Sequence, residues 1–339
     1  MKSSSWLRLL IFGVCLYILW RVRSVVLLVL TAVTFVIMLN RAVRRLQKRI
    51  SSRSVAVLLV TSAVLLTAGA LVVIIVPPVF EQLRDLVGLS SQLIDRVQGW
   101  LIYLSDVIPG FALEDLQNLG ILLNQLQAMN WEMIFGRFFT WFSNTLTIAL
   151  NLLLVTVLTV MMLSNPGAYR GLFIRLFPSS RRQQVSKVLD NCEEAIADWS
   201  IGILFNMTTI AFLSMIGLWI LGVPLALTNG LLAGLLAFIP NLGPFLSALP
   251  PAAIALLESP WKAIAVIVLY IGIQQVESNL LTPLVMKKRV VPLPAVALMA
   301  QIMFAIFFGF LGLLLALPLT LILQQWLKEF WVRGVLDRH

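Results

Sequence analysis

The residues best suited to chemistry lie in a polar stretch of an otherwise apolar chain. Residues 273–283 read IQQVESNLLTP, whereas 60% of the whole chain is hydrophobic. On a helix, Gln275 and Asn279 share one face because they are four residues apart. Three more residues share a neighbouring face: Gln274, Glu277 and Ser278. A carboxylate in or near hydrocarbon costs about 3 kcal/mol unless it is paired, hydrated or protonated, so Glu277 is predicted to mark an ion or proton pathway.

Glu277 also has a purely structural interpretation. A basic group follows it in the chain, and a carboxylate near the cytoplasmic end of a span would pair with one of its members: Lys287, Lys288 or Arg289. Three further polar residues lie within apolar runs, and for these we favour interhelical hydrogen bonds over contacts with a ligand: Asn151, Asn206 and Gln301.

The element that must position this polar stretch is an apolar run, residues 231–257, that carries a proline-rich interruption. Residues 238–251 within it read FIPNLGPFLSALPP and include Asn241 and Gly243. Each proline removes an amide donor and clashes with the preceding helical turn, so the pattern predicts a helix break. At membrane depth a break is tolerated where the freed backbone groups are buried in protein or line a wet cavity, and it is typical of transporter binding sites. A proline-kinked spanning helix is the alternative.

Composition places the chain in the membrane. Only 12% of its residues are charged, against about a quarter in soluble proteins, and the mean hydropathy is +0.97. Several apolar runs approach the ~20 residues that a helix needs to cross hydrocarbon. These features predict an all-α, polytopic membrane protein with about eight membrane segments, some of them broken or re-entrant. The formal charge of +10 is spread in short basic clusters between apolar runs, which indicates orientation signals and not nucleic-acid binding.

Several classes of chemistry lack the residues that they need. The only histidine is His339, and the two cysteines lie far apart, Cys15 in an apolar run and Cys192 in a predicted cytoplasmic segment. We therefore expect no metal site, no disulfide and no cofactor. The chain contains neither a Walker-type GxxxxGK[ST] sequence nor GxSxG, so we predict that it is not an enzyme.

The first predicted domain, residues 1–76, holds three membrane helices. The apolar runs 6–20 and 24–39 are predicted to form a tight helical hairpin that is not cleaved as a signal peptide. The segment 40–54 has six basic residues and no acidic one, which places it and the N-terminus in the cytoplasm. A third span, residues 55–76, is predicted to end at Pro77 and Pro78.

The second predicted domain, residues 77–136, is an external amphipathic helical arm. Acidic residues predominate from position 80 to 136, and apolar residues recur at helical spacing up to Pro109 and Gly110. A second amphipathic stretch covers residues 113–129. We expect an arm that lies along the membrane surface or a neighbouring subunit, in preference to a ligand-binding domain, because such a segment makes only a small core.

The third predicted domain, residues 137–339, is the transport core. It begins with a span at 137–163, a basic loop at 165–187 and a further span at 199–221. Just before the latter, Glu194 and Asp198 share a helix face, and we favour a solvated face for this acidic run; a seat for a cation or proton is the alternative.

Two broken segments, 229–257 and 294–327, complete this core. If the first dips into the membrane and returns, with Asn241 near its tip, the charges at 287–289 fall in the cytoplasm, as the charge rule favours. The second is too long for one span and is interrupted by Gly309, Gly312 and Pro318. Two such halves predict an inverted repeat, alternating access and a cytoplasmic C-terminus.

Taken in order, these motifs resemble the autoinducer-2 exporter family of bacterial permease-like membrane proteins. The resemblance is carried by LNRAVRRLQKR, the span ending VPP, FIPNLGPFLSALP, QQVESNLLTPLVMKKRVVPLP and GFLGLLLALPLTLIL. The chain departs from the family at Arg41, where proline is usual, and at Lys287, where glycine often precedes the basic pair. The resemblance implies a homo-oligomeric transporter whose functional positions are Pro240, Asn241, Gly243, Pro244, Gln274, Gln275, Glu277, Asn279 and Pro283.

The sequence thus predicts a secondary transporter of the bacterial cell membrane. It would export a small polar solute, such as an autoinducer-2-like signal molecule, by alternating access. A sodium/proton antiporter is the nearest alternative. A membrane scaffold that binds a partner through the external arm is the alternative from another class.

Overall fold

The computed structural model describes residues 17, 21–88, 99, 145–240, 242–281, 283 and 294–330. No strand occurs among them, so the predicted all-α class is confirmed. Nine α-helices lie in this part of the chain: α1 (Arg23–Leu46), α2 (Arg53–Gly88), α3 (Thr145–Ser164), α4 (Pro166–Arg175), α5 (Arg182–Ile220), α6 (Ala226–Leu236), α7 (Leu242–Glu258), α8 (Pro260–Val276) and α9 (Pro294–Leu327). A 3₁₀ turn (Ser179–Arg181) precedes α5, and a π-helical turn (Glu277–Leu281) continues α8.

Five helices of the described part are long and apolar enough to cross a membrane: α1, α2, α5, α8 with its π-helical turn, and α9. A sixth span results if α3 is counted together with α4, to which it is bent by 90°. Helices α6 and α7 are apolar but shorter, and at ~1.5 Å per residue α6 reaches only about 17 Å. The molecule is a polytopic helical membrane protein. The apolar run 6–20 and most of the arm at 77–136 fall outside the described residues, and the division into three domains stays a prediction.

Two predicted helix ends are wrong. Helix α2 does not stop at Pro77 and Pro78 but passes through both to Gly88, because an interior proline removes only its own ladder hydrogen bond and a long helix keeps the others. Helix α1 does not end before the basic segment at 40–54 but continues to Leu46, because the arginines, alanine and leucine there are good helix formers. The link between α1 and α2 is correspondingly short.

The described residues divide into two compact units. The first contains residues 21–64, 146–200 and 294–330, and one of its apolar clusters joins Val43, Val57 and Leu163. Beside that cluster, the Arg53 guanidinium donates to the Leu163 carbonyl from Nη2 at 2.8 Å and from Nε at 3.1 Å. It also donates to Asn40 Oδ1 at 3.2 Å and to Gln47 Oε1 at 3.2 Å. Arg53 therefore satisfies a carbonyl at the end of α3, where helical carbonyls lack internal partners.

Helix α9, in the first unit, is interrupted at one of the three predicted positions. Gly309 has φ 67° and ψ −150°, a conformation that favours glycine. A Cβ atom on Gly312 would lie 2.6 Å from Phe308 Cβ and would also clash with the Phe304 carbonyl, eight residues earlier in the chain. The chain therefore folds back at Gly309, whereas Gly312 and Pro318 lie within regular helix.

The second unit contains residues 65–88, 201–240 and 242–281. Its apolar core brings together α5, α6, α7 and α8 through Ile210, Ala233, Ala255, Val266 and Ile273. Helix α6 packs closely on α5 through two glycines four residues apart. A Cβ atom on Gly230 would lie 2.7 Å from Met215 Cα, and one on Gly234 would lie 2.6 Å from Ala211 Cβ. This is the small-residue spacing that lets membrane helices approach closely.

The predicted break of the apolar run 231–257 is present, but it is a single interruption. Helix α6 ends at Leu236 and α7 begins at Leu242, with Pro240 between them. Pro244 lies in the first turn of α7, where amides lack helical partners in any case, and Pro250 and Pro251 lie inside α7 without ending it. At the start of α7 the chain passes so close to the end of α6 that a Cβ atom on Gly243 would overlap the Leu236 carbonyl oxygen.

Replacing Arg53 with lysine tests the network of the first unit. Lysine keeps the charge but not the guanidinium fork, so Arg53→Lys should lower the free energy of unfolding by about 1–3 kcal/mol. Thermal unfolding in detergent measures the loss. Arg49→Lys is the matched control, because Arg49 is an exposed arginine of the same connection. Equal losses in the two variants would contradict the assigned role.

Replacing Gly243 with alanine tests the close approach at the break. The added Cβ has no room beside the Leu236 carbonyl, so the variant should lose about 1–3 kcal/mol of stability. Gly272→Ala on α8 is the control, because its Cβ would meet nothing within 4 Å and alanine is the better helix former. The test compares the melting temperatures of the two variants in the same detergent. A Gly243→Ala variant that is as stable as the wild type would refute the close approach of Gly243 to the Leu236 carbonyl.

Candidate functional site

The acid singled out in the sequence is buried in the second unit. Glu277 is only 9% exposed and is the first residue of the π-helical turn that continues α8. Such turns are rare and are frequent at functional sites. Asn206 Nδ2, on α5, donates to Glu277 Oε1 at 2.6 Å. The described partner of the acid is therefore an amide, whereas the basic residues at 287–289 lie outside the described residues.

The helix break and the buried acid lie at the same end of the second unit. Helices α5 and α8 run antiparallel, because Asn206 meets Glu277 while, farther along, Gly217 lies against Leu269. Near the end of α6, Gly234 lies against the carbonyl of Met207, the residue after Asn206. The chain leaves α6 for the break at this level.

Helix α7 brings its first residues to the same end. It has 17 residues, as α8 has, and the two pack against each other from the connection at Ser259. Two neighbouring helices of equal length that are joined at one end have their other ends at similar levels. Gly243 and Pro244, at the start of α7, therefore lie toward the end of α8 that carries Gln274.

The polar residues after Ile273 divide into an inner and an outer set. Gln275 and Asn279 are exposed, and Asn279 Nδ2 donates to Gln275 Oε1 at 2.9 Å, in line with their four-residue spacing. Gln274 is half-buried, and its Nε2 donates to Ser278 Oγ at 3.4 Å. Only Glu277 of this group is buried. The structure thus turns the acid inward and the two outer amides away from the protein.

The remaining predicted site residues have different surroundings. Pro240 and Pro244 are half-buried, Gly243 is buried, and Pro283 is exposed. Asn241 lies outside the described residues. The structure therefore gathers the described residues of the break and Glu277 at one end of the second unit, while no described contact joins Pro283 to them.

Sequence reasoning underestimates the importance of Asn206. The predicted interhelical hydrogen bond of Asn206 is present, but its partner proves to be the candidate acid. A signal for this pairing exists in the sequence. Asn206 and Ser214 lie eight residues apart on α5, and Tyr270 and Glu277 lie seven apart on α8, so both helices carry a matching pair of polar positions in apolar surroundings.

The acidic run before the second unit has basic partners in the first unit. In the first unit, Asp198 pairs with Arg41 at 2.8 Å and Asp190 pairs with Arg170 at 2.6 Å. Glu193 lies 3.8 Å from Arg44. All of these side chains except Asp198 line an open cavity of about 340 Å³. Because the pairs are partly exposed, each contributes only about 0–1 kcal/mol.

Comparison with known proteins identifies the family. A family model described as AI-2E family transporter matches residues 7–331. The chain is similar to YueF of Bacillus subtilis strain 168, with 27% identity over 61% of this chain and 65% of YueF. It is similar to YhhT of Escherichia coli K12, with 25% identity over 90% of this chain and 84% of YhhT. Both are called transport proteins by name.

A further relative carries a more specific name. The chain is 28% identical to TqsA of Escherichia coli K12, named an AI-2 transport protein, over 56% of this chain and 54% of TqsA. The match thus spans less than two thirds of the length of YueF and of TqsA. The family model, by contrast, extends over nearly the whole sequence. The chain belongs to the AI-2E family of transporters.

Proposed function

We propose that the protein is a secondary transporter that exports a small polar solute of the autoinducer-2 type by alternating access. The observation that carries this proposal is the position of the helix break, which lies at the level of the buried pair Asn206 and Glu277. An interrupted helix, whose backbone groups bond in turns, and a buried acid at one level are what a polar cargo needs in an apolar protein. The name of the relative TqsA supports the solute class.

The cargo pathway combines the break and the polar stretch after it. Amides at Gln274, Gln275 and Asn279 offer both donors and acceptors to hydroxyl and carbonyl groups of a solute. The break adds backbone groups that are not used in a helix. The proposed pathway residues are Pro240, Asn241, Gly243, Pro244, Gln274, Gln275, Glu277, Asn279 and Pro283.

Alternating access would use the two interrupted segments, 229–257 and 294–327, as the moving parts. Each contains a point where regular helix is interrupted, between Leu236 and Leu242 in the first and at Gly309 in the second. Such points absorb the backbone rotation of a hinge with little cost. We place the protein in the bacterial cell membrane as a homo-oligomer with both termini in the cytoplasm, with residues 1–76 and the arm at 77–136 flanking a core at 137–339.

Sodium/proton exchange is the second candidate function, and one observation favours it. Glu277 is a buried acid whose described partner is neutral, as in membrane proteins that move ions. Flux measurements in proteoliposomes separate the two functions. Solute release driven by imposed gradients supports export, whereas proton movement that depends on sodium and needs no solute supports exchange. No flux of either kind, together with a partner that is lost when residues 80–136 are deleted, would support the scaffold alternative.

Replacing both outer amides with leucine tests the cargo pathway. The double variant Gln275→Leu, Asn279→Leu removes two hydrogen-bonding side chains, so solute flux at low concentration should fall about tenfold or more. Stability should change little, because both side chains are exposed. Thr208→Val with Thr209→Val is the control, since these exposed hydroxyls bond only to their own helix. Unchanged flux in the leucine variant would remove the two amides from the pathway.

A further inference from the structure

Two oxygen atoms of the Asn206–Glu277 pair are buried without a hydrogen-bond donor. Asn206 Nδ2 donates to Glu277 Oε1 at 2.6 Å, which satisfies one oxygen of the carboxyl group. The other carboxyl oxygen, Glu277 Oε2, and the amide oxygen, Asn206 Oδ1, have no partner among the described residues. A buried acceptor that lacks a donor costs about 1–3 kcal/mol. In this arrangement the two acceptors therefore lack a donor, and the neighbouring Gln274 amide donates to Ser278 Oγ instead.

A single proton would satisfy both atoms. With a proton on Oε2, the carboxyl group becomes a donor, and its O–H can bond to Asn206 Oδ1 while Oε1 still accepts from Nδ2. The carboxylic acid and the amide then form a closed pair with two hydrogen bonds. We propose that Glu277 and Asn206 bind one proton in this way, and that this proton is the coupling ion of transport; the second statement rests on the proposed function.

The charged groups around the pair favour a proton over continued ionisation. Lys262 lies toward the opposite end of α8, where it donates to the Gly222 carbonyl at 2.7 Å and pairs with Glu258. Tyr270 lies two turns from Glu277 on α8, with Ser214 as its neighbour. The other ionisable groups of the described second unit are exposed on α2: Glu81, Arg84 and Asp85. No cation is therefore described beside Glu277, and an unpaired buried carboxylate is costly.

The donor set also favours a proton over a sodium ion. A sodium ion takes several oxygen ligands, whereas the buried pair offers two oxygens that lack donors. In the part of the chain that the structure describes, no group of three or more acidic, histidine or cysteine residues is arranged to hold a metal ion. Gln274 lies beside the carboxyl group on α8, where its amide interacts with Glu277 and donates to Ser278 Oγ at 3.4 Å. One proton taken up on one side of the membrane and one released on the other balance the cycle.

Glu277→Gln distinguishes this proposal from a merely structural role. Glutamine copies the protonated acid, because its Nε2 can donate to Asn206 Oδ1 and its Oε1 can accept from Nδ2. In detergent, the melting temperature of the wild type should rise as the pH is lowered from neutral, because the folded state then binds the proton. The Glu277→Gln variant should lose this dependence and match or exceed the wild type at neutral pH. Glu258→Gln, at an exposed acid, should retain the dependence.

Infrared spectroscopy supplies an independent readout. The wild type at acidic pH should show the carbonyl band of a buried protonated carboxyl group, and Glu277→Gln should lack it. Asn206→Ala should move the band to higher frequency, because Oε1 loses the hydrogen bond from Nδ2. A wild type without this band, or a band that Asn206→Ala does not shift, would overturn the proton-binding pair.

Transport assays keep this proposal separate from the proposed function. In proteoliposomes, Glu277→Gln should lose solute flux driven by a proton gradient, whereas Glu258→Gln, at an exposed acid, should retain it. If the wild type moves no solute under any gradient, the proposed function fails while the melting and infrared tests still decide the proton site. Proton-driven flux that persists in Glu277→Gln would overturn the coupling role. Stabilisation of the wild type, but not of the variant, by sodium at neutral pH would show that the site binds sodium.

Discussion

The hydrogen bond between Asn206 and Glu277 is the interaction on which the arrangement of the second unit depends. An apolar protein in a membrane has no water to satisfy a buried polar group, so each such group must find a partner inside the protein. The amide of Asn206 meets that need for one oxygen of Glu277 and fixes where α5 and α8 face each other. The glycines at 230 and 234 then hold α6 against α5, and the end of α6 meets the same level.

The interruptions of the helices follow from a few residues and not from the number of prolines. Pro240 lies in the break between α6 and α7, whereas Pro77 and Pro78 lie inside α2 without ending it. The difference lies in the surroundings, because the chain at the break must turn closely enough for Gly243 to lie against the Leu236 carbonyl. At Gly309 it is the positive φ angle that stops the helix. In these segments, the position of a glycine therefore determines where a helix is interrupted more than the presence of a proline does.

Much of this fold could be predicted from the sequence because the membrane imposes a simple rule on length and polarity. The apolar run at 294–327 coincides with α9, and the break at Pro240 lies within the proline-rich stretch where the sequence predicts one. Other features depend on contacts between distant residues. The pairing of Asn206 with Glu277 joins residues 71 apart, and that of Arg41 with Asp198 joins residues 157 apart. The polar positions mark Asn206 and Glu277 as candidates, but their pairing, like that of the acidic run with arginines, is set by the fold and not by the local sequence.

The two units differ in how their charged side chains are paired and buried, and this difference bears on function. In the first, arginines and carboxylates meet in partly exposed pairs, which water and salt screen and which therefore form and break at little cost. In the second, a single described acid is buried beside an amide that cannot neutralise it. A buried carboxylate without a cation beside it is costly, so it favours the binding of a positive ion from solution. Under the proposed function, this requirement would link the protonation of Glu277 to the accessibility of its surroundings, and alternating access would change that accessibility.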